Sequence, residues 1–480
     1  MLDATPRIAA AVDVAVVGGG LAGWVAASAA REAGCRVALI ERSARKPGWG
    51  NSIVSGGALH AVLRDPRTDP TTLAAMITDL TDGHADRVVV DAWATHAARA
   101  VAWIEAHGGV LMTDPLHAHR AKVFSPVRLT EPGMRYAGFG LGDFLTRCRD
   151  DFVRSGARIV QPARARTLSR DGDHWVLDLG ARTSSIPARV RARCVVLADG
   201  GFQANRALLR RYVGTDQVKV RGAGTGTGDG LRMGLANGGV AVNMQGFYGH
   251  LLARESLGRD DLWPYPILDL LAAVGVVVTS AGARVVDESV GGVTTTNAVA
   301  WSGDPLGCWL VVDDDGWRNE GAIGVTPPNP WLLDHGATVH TAPTLQSLAS
   351  LAAIDEAGLT TAVRELEAGL ITTPPRRGVV KLRQPPFRAI ALVAGVTFTL
   401  GGLRVDGQAR VLDAAGTPIG GLYAAGGTMG GLHGGPRVGY AGGLLEAAVF
   451  GLLAGEHAAS NCHLNTTPSP RRPHARHVRG

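Results

Sequence analysis

The sequence predicts an α/β fold in which a parallel-sheet lobe is interrupted by an inserted α+β cap. Three observations predict it. A strand, glycine turn, helix and second strand fill residues 12–42, a second strand–glycine–helix unit recurs at residues 195–212, and the composition shifts across residues 244–385.

The first unit is the most specific. Val12 to Val17 is a short apolar run suited to a buried parallel strand, Gly18, Gly20 and Gly23 form GxGxxG, and Leu21 to Glu32 is Ala-rich and helix-forming. A second strand, Arg36 to Ile40, ends at Glu41, roughly twenty residues past the glycines, where a carboxylate can accept ribose hydroxyls. Gly18 permits the tight turn, Gly20 lets backbone approach a pyrophosphate, and Gly23 lets the helix pack on the sheet. The helix N-terminus, with unpaired amides and a dipole worth about half a positive charge, favours the phosphates. Strand, glycines, helix, strand and acid in register predict a Rossmann-like dinucleotide site.

Length and composition bound the rest. At 480 residues two lobes are expected. No window reaches the 18 or so uninterrupted apolar residues of a membrane span, and no secretory segment precedes the first strand, so a cytoplasmic protein without a membrane span is expected. Cys35, Cys148, Cys194, Cys308 and Cys462 are scattered, without CxxC or Cys/His clustering. Free thiols are expected rather than a disulfide scaffold, c-type haem, iron–sulfur cluster or any metal site. The net charge of +6 owes much to Arg471, Arg472, Arg476 and Arg479 near the C-terminus. That Pro-interrupted run reads as a disordered basic tail over residues 464–480, and no nucleic-acid partner is expected.

Along the chain, residues 43–57 form a Gly-rich loop able to lie against a flat ring, and a helix-like stretch begins near Ala58. Phe144 to Ser155 reads as an amphipathic helix, followed by strands at Ala157–Val160, His174–Leu179 and Arg189–Ala198. GTGTGDG at Gly224–Gly230 precedes a helix from Leu231 to Asn237. Trp, Pro and Asp rise between Met244 and Pro385, the inserted cap; strand-forming, Gly-rich sequence resumes at Phe387 and ends in an apolar helix, Gly443 to Ala459. The expected division is 1–243 and 386–463 for the nucleotide lobe and 244–385 for the cap.

Taken in order, ERxxxxxGWGNSIVSGG, VVLADGGFQAN, GTGDGL, TFTLGGLRVD and GTPIGGLYAAGGTMGGLHGGPRVGYAGGLLEAAVFGLLAG resemble the fumarate reductase and succinate dehydrogenase flavoprotein superfamily, which also holds ketosteroid and tricarballylate dehydrogenases. The resemblance spans nearly the whole chain and is weakest across the cap. It implies a glutathione reductase-type FAD-binding lobe. FAD would be held by Gly18, Gly20, Ala22 and Gly23 at the pyrophosphate and by Glu41 at the adenosine ribose, with Arg42 a further cofactor-binding residue. Asn51, Ser52, Ser55, Gly56 and Gly57 would face the flavin, and Ala165 would present backbone to adenine. Asp199, Gly200 and Asn205 match the ATGGFxxN turn with Asp in place of Thr, and Asp229 matches TGDG. Gly426 and Gly427 replace a family GE pair, and Gly443 and Leu444 open the helix that would face the flavin pyrimidine.

Departures from the family set the expected chemistry. Gly50 and Asn51 stand where a covalent histidine would be, so noncovalent FAD is expected. Phe398-Thr399-Leu400-Gly401-Gly402 replaces HTxGG, and Thr295-Thr296-Asn297 replaces the cap TTRD, so both the substrate histidine and the proton-delivering arginine of fumarate reductases are absent. A Phe cannot solvate a buried dianion. Arg437 matches the family's substrate arginine, with tying the lobes together as its structural alternative. Tyr440 is a candidate to polarise a substrate oxygen or relay a proton, or else a packing tyrosine. His250, with Tyr248 beside it, lies where the family places an active-site histidine entering the cap, with a structural histidine as its alternative; His433 is expected to brace its loop.

The expected enzyme is an FAD-dependent oxidoreductase of a CH–CH bond beside a carboxylate or ketone, running α,β-dehydrogenation on a small molecule with an external electron acceptor. Three alternatives stay open: an enoate or enone reductase, a flavin hydroxylase suggested by LADGG but lacking GDxxH, and a non-catalytic flavoprotein.

Overall fold

The computed structural model describes residues 11–113, 122–127, 129–131, 135–137, 139–181, 188–369, 373–377, 380 and 382–464. The basic tail, including its arginines from Arg471 onward, lies outside the described residues.

Val12–Val17 forms the expected strand, almost wholly buried, and pairs in parallel with Arg189–Leu197 on one side and Val37–Ile40 on the other. The sheet runs in the order Arg410–Leu412, Pro418–Ala424, Arg189–Leu197, Val12–Val17, Val37–Ile40, Arg158–Val160. Its strands from Pro418–Ala424 to Arg158–Val160 are parallel, as short apolar runs buried on both faces dictate. Ala163–Asp171 and His174–Ala181 return antiparallel onto the first half of Arg189–Leu197. The Leu21–Glu32 helix buries its alanines against the long closing helix Gly443–Leu464, and Trp24 meets Phe152 edge-on at 5.7 Å between ring centres.

The second sheet, of six strands, is organised on Phe387–Thr399. That strand pairs antiparallel with Phe247–Ala253, Cys308–Val312 and His340–Ala342, and in parallel with Val218–Val220. The chain rejoins the first sheet only at Arg410–Leu412. We propose the division 1–243 and 386–463 for the nucleotide lobe and 244–385 for the cap, with Phe387–Thr399 as the strand on which the lobes meet.

Several local expectations are corrected. The segment at Ala58 is not helical: Ala58–Leu59 pairs antiparallel with Lys122–Val123, and the helix starts at Pro70, where Asp69 caps the Thr72 amide. The loop at 43–57 contains one helical turn, Asn51–Val54. The amphipathic helix begins earlier, at Gly140, and the closing helix runs on to Leu464. No helix among the described residues is long and apolar enough to cross a membrane.

Candidate active site

A cleft of about 880 Å³ lies at the carboxyl ends of the parallel strands, where Val17, Ile40, Ala198 and Gly426 end or follow them, and it continues to the second sheet. Open parallel sheets bind ligands at such an edge. The volume sits high in the range of roughly 300–1,000 Å³ for ligand pockets.

The first turn builds one end. Gly18 has φ +106°, and a Cβ there would lie 2.4 Å from the Ala198 carbonyl oxygen. At Gly23 a Cβ would lie 1.9 Å from the Gly18 oxygen, so this glycine seats the helix from behind, as its close packing requires, and is not part of the cleft lining. Gly18, Gly20 and Ala22 form the wall. Ser52 Oγ accepts from the Leu21 amide at 3.0 Å, bracing the helix start against the loop that carries Ser52. Glu41, only 4% exposed, accepts from the Gly19 amide at 2.7 Å and the Ser43 amide at 2.6 Å. Burial pushes its carboxyl above the usual range, with the amides pulling partly back.

Asp229 sits beyond it. Arg164 holds both its oxygens, at 2.6 and 2.8 Å, Arg232 adds a further contact, and Arg42 bonds Thr227 Oγ1 at 2.8 Å beside it. Burial raises the Asp229 carboxyl, but the Arg164 and Arg232 bonds outweigh it and leave the group below the usual range. Asp199 accepts from the Gly230 amide at 2.8 Å, and Thr428 Oγ1 donates toward its Oδ1 at 3.4 Å. Desolvation, with Asp229 adding repulsion, pushes Asp199 up to about 6. Gly200, Gly426, Gly427 and Ala165 line the same stretch. Asn205 is not part of the cleft lining: its Oδ1 caps the Arg206–Tyr212 helix at the Leu208 amide and its Nδ2 donates to Thr227 O.

The loop carrying Ser55, Gly56 and Gly57 also lines the cleft. Asn51 ties it to the second sheet, donating to Thr397 O at 2.7 Å and accepting from the Ala223 amide at 2.9 Å. Opposite, Gly443 and Leu444 present the start of the closing helix. Small or backbone-only walls, a helix N-terminus and a buried acid fit a dinucleotide along this length.

The other end is aromatic. Tyr440, Tyr248, Phe398 and His60 line it together; the Tyr248 and Tyr440 ring centres are 4.1 Å apart, and His60 meets Tyr440 edge-on at 5.7 Å. The Tyr440 oxygen accepts from the Gly443 amide at 2.9 Å. Burial, with the Tyr248 phenol adding to it, drives its pKa far above a normal phenol, so it stays neutral and keeps a proton to donate. His250 Nδ1 lies 2.6 Å from Asp269 Oδ2, and its Nε2 lies 3.1 Å from the Tyr248 oxygen. Arg437 also lines the cleft, but its guanidinium is forked onto Asp82 and donates to Asp79 O at 2.5 Å, while its carbonyl accepts from Thr294 in the cap.

His433 braces its loop as expected, accepting from the Ala441 amide at 3.1 Å. Asn297, aligned with the missing cap arginine, is fully buried and bonds both polar backbone groups of Phe247, at 2.7 and 3.1 Å. Asp269 and the cleft-lining Arg221 and Arg377 escaped the sequence reading. No local pattern marks them. Tyr248 carried a usable signal, because residues two apart on a strand face the same side as His250 does.

A family profile described as an FAD binding domain matches residues 13–441. A probable fumarate reductase of Shewanella frigidimarina is 27% identical over 468 residues, covering 93% of this chain and 75% of the relative. A 4-oxocyclohex-2-ene-1-carboxylate 5-dehydrogenase of Sinomonas cyclohexanicum is 27% identical over 382 residues, covering 70% of this chain and 62% of that protein. The solved 3-ketosteroid delta1-dehydrogenase from Sterolibacterium denitrificans, in complex with 1,4-androstadiene-3,17-dione, shares the fold, with a TM-score of 0.72 at 20% identity over 94% of this chain and 100% of that one. Family members are FAD-dependent oxidoreductases acting on CH–CH bonds. With the profile covering most of its length and the cleft shaped for the nucleotide, this chain belongs to the FAD binding domain family and takes FAD as its cofactor.

Proposed function

We propose that the protein desaturates a saturated ketone or carboxylic acid between its α and β carbons, using noncovalent FAD and passing electrons to an external acceptor. Bound FAD supplies a two-electron hydride acceptor. The residues named by sequence for the pyrophosphate, ribose and flavin, other than Gly23 and Asn205, would hold it.

The observation that carries the reading is the Tyr440 oxygen accepting the Gly443 amide at the start of the closing helix. A neutral phenol at a helix N-terminus donates to a substrate oxygen and stabilises the negative charge that develops there when the α-proton leaves. Phe398 and the buried, backbone-bonded Asn297 stand where reductive relatives carry a histidine and an arginine, which favours dehydrogenation over reduction. Arg437 would orient a carboxylate at the rim. Five buried free thiols support a reducing, cytoplasmic setting.

Anaerobic titration of yellow holoprotein with saturated keto acids and cyclic ketones tests this: bleaching with formation of the α,β-unsaturated product is expected. No bleaching, with rapid reoxidation of reduced enzyme by an enoate or enone, would reverse the direction. Substrate-stimulated NADPH oxidation giving a hydroxylated product would move it to the hydroxylases.

A further inference from the structure

The desaturation reading leaves the base unnamed; resting on that reading, we propose that Tyr248 removes the α-proton and that His250 and Asp269 form a relay that drains the phenol's own proton.

The geometry orders the groups. Asp269 Oδ2 lies 2.6 Å from His250 Nδ1, and its other oxygen accepts the Leu251 amide at 2.9 Å, so the carboxylate is fixed from both sides. A carboxylate at Nδ1 selects the tautomer with the proton on that nitrogen, leaving Nε2 as an acceptor. Nε2 is 3.1 Å from the Tyr248 oxygen, so the phenol donates to it. A Cβ on Gly292 would lie 1.9 Å from Asp269 Oδ2, so the Gly292–Ala300 helix opens on glycine where the acid needs the space. All three side chains line the cleft, and the His250 and Asp269 side chains are 17% and 16% exposed.

Position relative to Tyr440 gives the relay its purpose. A carbonyl oxygen and the α-carbon hang from the same carbon, so the group polarising one and the group deprotonating the other must be neighbours. The Tyr248 and Tyr440 ring centres lie 4.1 Å apart with the rings tilted by 32°, yet their oxygens differ in partners: Tyr440 accepts from an amide, whereas Tyr248 faces an imidazole backed by a carboxylate. The first is held neutral as a donor; the second is set up to lose its proton. In the step, the α C–H pair becomes the new π bond, its proton goes to the Tyr248 oxygen, and the phenol's proton passes to His250 Nε2, giving an imidazolium paired with Asp269. The β C–H pair leaves as hydride to the flavin, so the substrate loses two electrons and two hydrogens. Titratable and charged groups around this relay include Tyr440 and His60, with His433 and Glu446 behind Tyr440, and, on the segment packed against Asp269–Val274, Glu288 paired with Arg284 and Arg376.

Tyr248 is the catalytic residue here; His250 and Asp269 position and charge it. The test uses holoenzyme reduced beforehand with dithionite, so that hydride transfer is blocked, and follows washout of α-protons from saturated keto acids and cyclic ketones into D2O by NMR, beside dye-coupled turnover of the oxidised enzyme. Tyr248→Phe is expected to keep its flavin and lose exchange and kcat by about a hundredfold or more, the range of general acid–base groups. His250→Ala should lose about tenfold or more and regain rate with added imidazole, in proportion to its neutral fraction; Asp269→Asn should lower kcat and displace the acid limb of the pH profile. Exchange by Tyr248→Phe within threefold of wild type, or a His250→Ala defect that imidazole leaves unchanged, overturns the relay while wild-type turnover preserves the wider reading. A wild-type enzyme that neither exchanges nor oxidises any of these compounds overturns both.

Discussion

The Arg437 guanidinium is committed to Asp82: Nε lies 3.0 Å from both carboxylate oxygens and Nη2 lies 2.6 Å from one of them, with the side chains 42% and 37% exposed. The pairing holds Asp82 below the usual carboxylate range and lifts Arg437 further. Exposed pairs contribute little to stability, so an incoming carboxylate can take the place of Asp82 without a large penalty. Arg437→Ala is therefore expected to raise KM for a keto acid about tenfold, one charge-assisted contact, and to leave a neutral cyclic ketone within about twofold. Asp82→Asn should lower KM for the keto acid alone. Steady-state kinetics on a matched acid and ketone checks both; equal effects on the two substrates would reduce Arg437 to a tie between lobes.

Tyr440→Phe removes the donor expected at the developing oxyanion but keeps the ring packed among Tyr248, Phe398 and His60. Loss of such a donor costs about 10²–10³ in kcat. Flavin content and thermal stability should hold, because the Gly443 amide sits at a helix start where water can replace the phenol. Rapid-reaction reduction rates measured anaerobically would report the loss; an unchanged rate would make Tyr440 a packing residue.

Much of the nucleotide end was readable because its signals are local. Gly18, Gly20 and Glu41 fall within one βαβ unit whose spacing is set by the length of a strand, a turn and a helix. Asn205 shows the limit: beside the glycine turn it looks like a ligand, but an Asn before a helix is equally a cap, and that is the role it takes. The cap was harder. Phe387–Thr399 has the apolar character of either sheet, and only its pairing with Phe247–Ala253 and Cys308–Val312 assigns it. Asp269 reaches His250 from a different segment, a contact that no periodicity announces.

Glu41→Ala should weaken FAD binding by about a hundredfold, because the change removes any ribose contact and leaves the Gly19 and Ser43 amides without their acceptor. Glu41→Gln retains one acceptor oxygen and should lie between. Quenching of flavin fluorescence on titrating apoprotein gives the dissociation constants. Equal affinity in all three proteins would move the ribose site elsewhere in the cleft.

Asp199 makes the apoprotein's stability depend on pH in a direction unusual for a carboxylate. Its ordinary value of 3.8 is pushed up to about 6, chiefly by desolvation. Between those values the native state holds the proton more tightly than the unfolded chain does, so this group's contribution to stability falls as pH climbs through the window and stays lower above it. Asp199→Asn keeps an acceptor for the Gly230 amide but cannot ionise. Urea denaturation should show wild type and variant converging near pH 4 and the variant more stable above pH 7 by on the order of 1–2 kcal/mol, less than the full shift implies because the cleft admits water. A wild-type profile that rises through this window relative to Asp199→Asn would mean that the carboxylate is stabilised in its charged form, with the Gly230 and Thr428 bonds outweighing its burial.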